Sequence, residues 1–150
     1  MQTSVDHRTL FHPLVAEWFS SEFARPTAVQ EQGWTSIYAG KDTLLAAPTG
    51  SGKTLAAFLC AIDKLTRAAI AKRLEDHTYV IYVSPLKALG NDIAKNLAYP
   101  LSGIRKLAEP SPYTVPQIRS AVRTGDTLTK DRQRQLKTPP HILVTTPESL

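Results

Sequence analysis

The sequence contains one cysteine, Cys60, in 150 residues. A single cysteine excludes an internal disulfide framework and is typical of a reducing compartment, so we expect a cytoplasmic protein. No apolar run approaches the roughly 20 residues that a membrane-spanning helix needs. The first ten residues alternate polar and charged side chains and lack the apolar segment of a signal peptide. These absences argue against a disulfide-rich secreted protein and against a membrane partner.

The composition is that of a globular domain. Apolar residues make up 42% of the chain and charged residues 21%, and 150 residues suffice for one domain with a real core. The net charge is +5, from 18 basic and 13 acidic residues. This excess suits a polyanionic partner, although many domains without such a partner carry it too.

The stretch from Asp42 to Thr54 predicts a phosphate-binding loop. A short apolar run, 43–47, is followed by a glycine-bearing loop and then by a helical pattern that starts near Lys53. A strand, a tight loop and a helix in this order bring free N–H groups together at one point. The pattern G-x-x-x-x-G-K-[ST] is met except at its first glycine, where Ala47 stands.

Each residue type in this loop has a predicted role. Gly50 and Gly52 allow positive φ angles and close approach of a ligand. Lys53 would bridge the outer phosphates of a nucleoside triphosphate, and the Thr54 hydroxyl would hold Mg²⁺. The predicted nucleotide-binding residues of the loop are Ala47, Pro48, Thr49, Gly50, Ser51, Gly52, Lys53 and Thr54.

The rest of the chain alternates strand and helix patterns. Two helices are predicted before the loop, from Phe11 to Phe23 and from Thr27 to Gly40. Four strands are predicted, at 43–47, 79–83, 117–122 and 141–145, with helices between them at about 53–72, 87–107 and 128–136. This order predicts a doubly wound, mostly parallel α/β sheet with helices on both faces.

Loops at the carboxyl ends of such strands meet at one edge of the sheet, where ligands bind. The predicted strand-end loops are 47–54, 84–89, 123–126 and 145–149. The last three offer backbone N–H groups, hydroxyls and a lysine, which suit a phosphodiester chain. The basic residues Lys130, Arg132, Arg134 and Lys137 are interpreted as a solvated helix face.

With these segments in order, the chain resembles the first RecA-like domain of a superfamily-two DEAD/DEAH-type helicase, most closely the large helicase-related (Lhr) branch. The segments that carry the resemblance are Arg25–Gln30, Ala47–Thr54, Ser84–Leu89, Arg123–Asp126 and Thr145–Leu150. It covers about Phe11 to the end. It implies helices with a Q-motif-like segment over 1–40 and a P-loop α/β core over 41–150.

The resemblance also implies roles for particular residues. Gln30 would read the adenine edge of ATP with help from Thr27, and an upstream aromatic residue would stack on the base. Phe11, Trp18, Phe19 and Phe23 all remain candidates for that stacking. The residues implied to contact nucleic acid are Pro85, Leu86, Lys87, Thr124, Gly125, Asp126, Thr146, Pro147 and Glu148.

One element of the family pattern is absent. Hydrolysis requires acidic residues that hold Mg²⁺ and orient water, and no Asp-Glu dipeptide follows an apolar run in this sequence. The resemblance therefore implies a core that is incomplete at its C-terminus, that binds ATP without hydrolysing it and that is marginally stable alone. The strand bearing that pair and a second RecA-like domain would belong to a longer chain.

The resemblance favours a motor that moves along single-stranded DNA, with RNA or a hybrid as open alternatives. A translocase that moves on duplex without separating strands fits the same residues. So does a module that binds nucleotide without hydrolysing it and regulates assembly.

Overall fold

A computed structural model of the protein describes residues 6–85 and 87–150, with the side chains of 87–89 and 91 outside the description. In these residues the chain forms six helices, three strands and a short 3₁₀ turn. The helices are α1 (His7–Leu10), α2 (Pro13–Glu22), α3 (Ala28–Tyr38), α4 (Lys53–Ile70), α5 (Lys87–Ala108) and α6 (Thr129–Lys137). The strands are β1 (Val80–Val83), β2 (Ser120–Arg123) and β3 (Ile142–Thr145), and the turn is Pro147–Ser149.

The three strands form one parallel sheet in the order β1-β3-β2. Parallel strands need crossover connections, and α5 and α6 provide helical segments between successive strands. The register places Val83 and Arg123 beside Thr145, the last residue of β3. All three strands therefore end at the same level, and the segments that follow them begin side by side.

One hydrophobic core joins the N-terminal helices to the sheet. The apolar face of α4 is buried at Phe58, Ile62, Leu65 and Ala69. The same core takes in Trp34 of α3, the buried face of α2 and residues of β3. Cys60 is buried here as well, and burial raises the pKa of its thiol to about 12, so the thiol stays neutral near pH 7.

Asp63 of α4 fixes the N-terminal segment from inside the protein. Its carboxylate is fully buried and accepts hydrogen bonds from the main-chain N–H of His12 (2.6 Å), from the Tyr38 hydroxyl and from Arg67 Nε (2.7 Å). A buried carboxylate is stable only with such partners. The network attaches the start of α2 and the end of α3 to the helix that follows the phosphate loop.

The predicted strand at 43–47 is wrong, because residues 41–48 form no regular secondary structure. A strand requires a neighbouring strand to pair its backbone groups. The described sheet contains only β1, β3 and β2, and none of them pairs with this segment. Leu44 is accordingly 91% exposed.

Other predicted boundaries shift. The strand expected at 117–122 is Ser120–Arg123, and α5 continues through Pro100 to Ala108. After β3 the chain forms the single 3₁₀ turn Pro147–Ser149, in which the Thr146 side chain does not cap the backbone. Among the described residues, no helix is long and apolar enough to cross a membrane.

Candidate functional site

The loop Ala47–Gly52 reaches the start of α4 through two left-handed glycines. Gly50 has φ +80° and Gly52 has φ +86°, and Gly52 is the N-cap of α4. L-residues with a side chain adopt this region only at a cost, which explains the glycines. The N-cap offers no side chain to the first N–H groups of the helix. Those groups and the helix dipole create a site with a preference for anions.

Lys53, the first residue of α4, folds back over this loop. Its Nζ donates hydrogen bonds to the carbonyl oxygens of Ala47 and Pro48, the second at 2.8 Å. An ammonium group has three N–H donors, so a further acceptor can be bound without loss of either contact. The charge of Lys53 is therefore held at the loop by the main chain.

A second observation indicates that this loop can hold a nucleotide phosphate. The Ser51 Oγ atom is buried and has no hydrogen-bond partner among the described residues. A buried hydroxyl without a partner is rare in folded proteins, and a phosphate oxygen would supply the acceptor. Thr54 is half-buried in the first turn of α4, where its hydroxyl would hold Mg²⁺ beside such a phosphate.

Thr27 and Gln30 hold the loop from the N-terminal side. The Thr27 hydroxyl donates to the carbonyl oxygen of Ser51 (2.8 Å), and Gln30 Nε2 donates to the carbonyl oxygen of Gly52 (3.4 Å). Gln30 Oε1 accepts from the Thr27 N–H (2.9 Å), which completes a capping box at the start of α3. The Thr-x-x-Gln spacing of that box was visible in the sequence. Recognition of adenine by these two residues stays a prediction.

The four aromatic candidates for base stacking differ in how deeply they are buried. Phe11, Trp18 and Phe19 are each at most 3% exposed and pack within the core. Phe23 is 39% exposed at the end of α2, four residues before Thr27. Of the four candidates, only Phe23 is exposed enough to contact a ligand.

The predicted nucleic-acid loops leave the sheet from its carboxyl edge. Ser84, Thr124 and Thr146 follow directly after strand ends that lie in register. The Ser84 N–H donates to the carbonyl oxygen of Thr145 (2.8 Å), and the Thr145 hydroxyl donates to that of Arg123 (2.7 Å). These contacts tie the three strand ends together. The loop after β3 lies between the other two.

The predicted contact residues differ in accessibility along this edge. Thr124 and Thr146 are buried at the strand ends and support the loops. The exposed members are Pro85, Gly125, Asp126, Pro147 and Glu148. Leu86 lies outside the described residues, and so does the side chain of Lys87, at the start of α5.

The interpretation of the basic run on α6 as a solvated face is wrong for Arg132. Its Nη2 donates to the carbonyl oxygens of Thr124 (2.8 Å) and Gly125 (3.3 Å), and its Nε donates to that of Thr127 (3.0 Å). Arg134 fits the interpretation, since it is 77% exposed and pairs with Asp131 three residues earlier. The spacing of basic residues in the sequence does not show that Arg132 contacts a loop while Arg134 is exposed.

The profile of the DEAD/DEAH box helicase family matches residues 27–150. The chain belongs to this family. The match covers the phosphate loop, the Thr27–Gln30 pair and all three loops at the sheet edge. Membership confirms the resemblance predicted from the ordered segments.

Several relatives of this chain are Lhr helicases. The ATP-dependent helicase Lhr-Core of Methanothermobacter thermautotrophicus is 51% identical over 150 residues, all of this chain and 17% of that protein. The Lhr helicase/uracil glycosylase of Escherichia coli is 44% identical over 145 residues, 94% of this chain and 9% of that protein. The chain thus spans less than one fifth of the length of these curated relatives.

Solved structures confirm the RecA-like α/β fold. The Mycobacterium smegmatis helicase Lhr, bound to ssDNA and AMP-PNP, superposes with a TM-score of 0.88 at 47% identity, over 97% of this chain and 18% of that one. The yeast DEAD-box splicing factor Prp28 superposes with a TM-score of 0.73 at 19% identity, a likeness of fold alone.

Proposed function

We propose that this chain binds ATP with Mg²⁺ and is the nucleotide-binding part of an ATP-dependent helicase that moves along single-stranded DNA. The observation that carries the proposal is the arrangement of two ligand-binding elements in one fold. A loop that can bind an anion, with Lys53 folded over it, lies at the start of α4. Three further loops lie at the carboxyl edge of the sheet, where they follow strand ends that are in register. The similarity to a helicase described with both ssDNA and AMP-PNP supports it.

In the proposed nucleotide site, the N–H groups of loop 47–52 and of the first turn of α4 bind the phosphates. Lys53 places its charge on the outer phosphates, and Thr54 contributes its hydroxyl to Mg²⁺. A bound Mg²⁺ would supply charge neutralisation between those phosphates. Thr27 and Gln30 stabilise the loop conformation from the side of α3, and we assign the adenine contacts to them.

We assign base stacking to Phe23. Aromatic rings stack on nucleobases because every base has a π-face, and the stacking is worth about 1–3 kcal/mol per base. Phe23 packs on Phe19 with ring centroids 4.9 Å apart, so its position is fixed while part of it stays open. Phe23 lies four residues before Thr27 in sequence, and a stacking residue there would complete a site with preference for adenine.

The nucleic-acid site consists of the exposed residues after β1, β2 and β3, with Lys87 as its positive charge. Parallel strand ends present N–H groups to a phosphodiester chain, and a few such contacts give weak, salt-dependent affinity. We propose a single strand of DNA as the ligand. The core at 41–150 and the helices at 1–40 would act together in a cytoplasmic enzyme whose second RecA-like domain closes on ATP.

ATP hydrolysis is assigned to residues outside these 150, since no Asp-Glu pair follows an apolar run here.

The proposal is tested by fluorescence anisotropy of a labelled single strand at several salt concentrations, with and without Mg-AMP-PNP. We expect the logarithm of the affinity to fall linearly with the logarithm of salt, with a slope of about −2 for roughly three phosphate contacts. Binding that is insensitive to salt would contradict the phosphate contacts. Strand displacement by the intact protein would exclude a duplex translocase.

A further inference from the structure

The loop that follows β2 is held by a single side chain from the next helix. Arg132 lies one turn into α6 and is half-buried. It donates to the main-chain oxygens of Thr124, Gly125 and Thr127, at 2.8, 3.3 and 3.0 Å. A guanidinium group presents several N–H donors in one rigid plane, which no other side chain can do. Arg132 thus fixes the orientation of several peptide groups at once.

The orientation of these carbonyl groups determines where the N–H groups point. In a trans peptide the C=O of one residue and the N–H of the next point in opposite directions, and the described chain has no cis peptide. Because the oxygens of Thr124 and Gly125 both face Arg132 Nη2, the N–H groups of Gly125 and Asp126 point away from it. A main-chain N–H that a turn holds in one direction can bind an anion.

Two further contacts stabilise this conformation. The Thr124 N–H donates to the Thr127 hydroxyl (2.9 Å), which closes the loop. The contact between the Asp126 N–H and the Thr124 hydroxyl is long, at 3.4 Å, and is therefore weak. The Arg132 charge also offsets the repulsion that the loop oxygens exert on a phosphate.

We propose that Arg132 is a positioning residue for nucleic-acid binding, which turns the carbonyl groups of loop 124–127 inward so that the Gly125 N–H meets a phosphate of the bound strand. This role rests on the proposed function. The Nε and Nη2 donors of Arg132 are directed to the carbonyl oxygens, so we assign Arg132 no direct contact with the phosphate. The ligand is one backbone phosphate of the single strand.

The test compares Arg132→Gln, Arg132→Lys and the matched control Arg134→Gln in the intact protein. The probe is a fluorescein-labelled oligothymidylate, measured by anisotropy over a salt series. Arg132→Gln should weaken binding by about tenfold, the effect of one charge-assisted hydrogen bond. Arg132→Lys should weaken it similarly, because an ammonium cannot bridge the three oxygens in one plane. Arg134→Gln should bind as the wild type does.

Two readouts separate positioning from other roles. The slope of log affinity against log salt should stay unchanged in Arg132→Gln, whereas removal of a direct cation–phosphate contact would reduce it by about 0.7. The affinity for Mg-ADP should also stay unchanged, whereas general destabilisation would lower it. Full binding by Arg132→Lys, or a smaller salt slope in Arg132→Gln, would overturn the positioning role.

The conformational part is tested without nucleic acid. Amide hydrogen exchange over residues 124–127 should accelerate in Arg132→Gln and not in Arg134→Gln, because Arg132 donates three hydrogen bonds to this loop and Arg134 pairs with Asp131 instead. Unchanged exchange would overturn the proposed restraint even if binding fell. A wild-type protein that exchanges as expected but binds no single strand would overturn the proposed function, and with it the role of Arg132 in binding.

Discussion

Gln30 Nε2 donates a hydrogen bond to the carbonyl oxygen of Gly52, across 3.4 Å. The same amide accepts from the Thr27 N–H through its oxygen, and the side chain is 4% exposed. One glutamine therefore joins the start of α3 to the N-cap of α4. Gln30, which is predicted from the sequence to contact adenine, therefore also stabilises the phosphate-binding loop.

Replacement of Gln30 by alanine should weaken Mg-ADP binding by about tenfold or more, because it removes the contact to Gly52 and half of the capping box. The exposed Gln32, on the same helix, provides the matched control, and Gln32→Ala should leave the affinity unchanged. Isothermal titration calorimetry gives both values. Equal affinities for the two variants would show that the Gln30 contact has no role in binding.

The two glycines of the loop should differ in their tolerance of a side chain. A Cβ at Gly52 would lie 2.4 Å from Gln30 Nε2, whereas one at Gly50 would meet no atom within 4 Å. Both have positive φ, so each alanine costs about 1–2 kcal/mol in the free energy of unfolding. Gly52→Ala should cost at least about 1 kcal/mol more, since it also displaces Gln30.

Urea unfolding of Gly50→Ala and Gly52→Ala measures this difference. Equal losses would show that Gln30 moves aside freely. A larger loss for Gly50→Ala would contradict the proposed close packing at Gly52.

The buried Asp63 carboxylate should be essential to stability. Asp63→Ala leaves the His12 N–H and the Tyr38 hydroxyl without their acceptor and removes the ion pair with Arg67. We expect a loss of about 3 kcal/mol in the free energy of unfolding. The control Asp131→Ala, which removes a surface pair on α6, should cost under about 1 kcal/mol. Similar losses for the two variants would contradict the anchoring role.

Stability should also depend on the protonation of His141. This histidine is buried, and its Nδ1 accepts a hydrogen bond from the Arg119 N–H (3.0 Å). Burial, and then the nearby Arg119 charge, lower the pKa of His141 below its ordinary value of 6.5. The unfolded chain then binds the proton more readily than the native state. The contribution to stability is complete above pH 6.5 and is lost as the pH falls through the lowered pKa.

Urea titrations between about pH 7 and pH 5 should therefore show a falling free energy of unfolding. The fall should be shallower in His141→Asn, whose side-chain oxygen can accept the same N–H without titrating. Part of it should remain, because burial also lowers the pKa of His12. An identical pH dependence in the wild type and in His141→Asn would exclude this residue as the source.

The sequence predicted the elements whose signals are local. The helix after Lys53, the strand around Val80–Val83 and the left-handed glycines follow from spacing and residue type alone. The predicted strand at 43–47 failed because a strand depends on a neighbour that the described sheet does not provide. An apolar pattern predicts that a segment tends to form a strand, but whether it does so depends on a neighbouring strand with which it can pair.

Side-chain roles that depend on distant contacts were not predictable. Asp63 had no signal, since a lone acid in an amphipathic helix is normally exposed, and its partners lie 51 and 25 residues away in sequence. Arg132 and Arg134 occupy similar positions in a charged helix, and only the folded loop distinguishes them. Phe23 could be separated from Phe19 only by burial.

The central claim is that the loop Ala47–Thr54 binds nucleotide through Lys53, and thermal unfolding with and without Mg-ADP and Mg-ATP tests it most directly. Ligand that binds only the native state raises the melting temperature, by an amount that grows with its concentration. We predict such a rise for the wild type, its loss in Lys53→Ala, and an unchanged rise in the α4 surface variant Lys64→Ala. A folded wild-type protein whose melting temperature is unaffected by either nucleotide, or a Lys53→Ala variant with the full rise, would contradict the account.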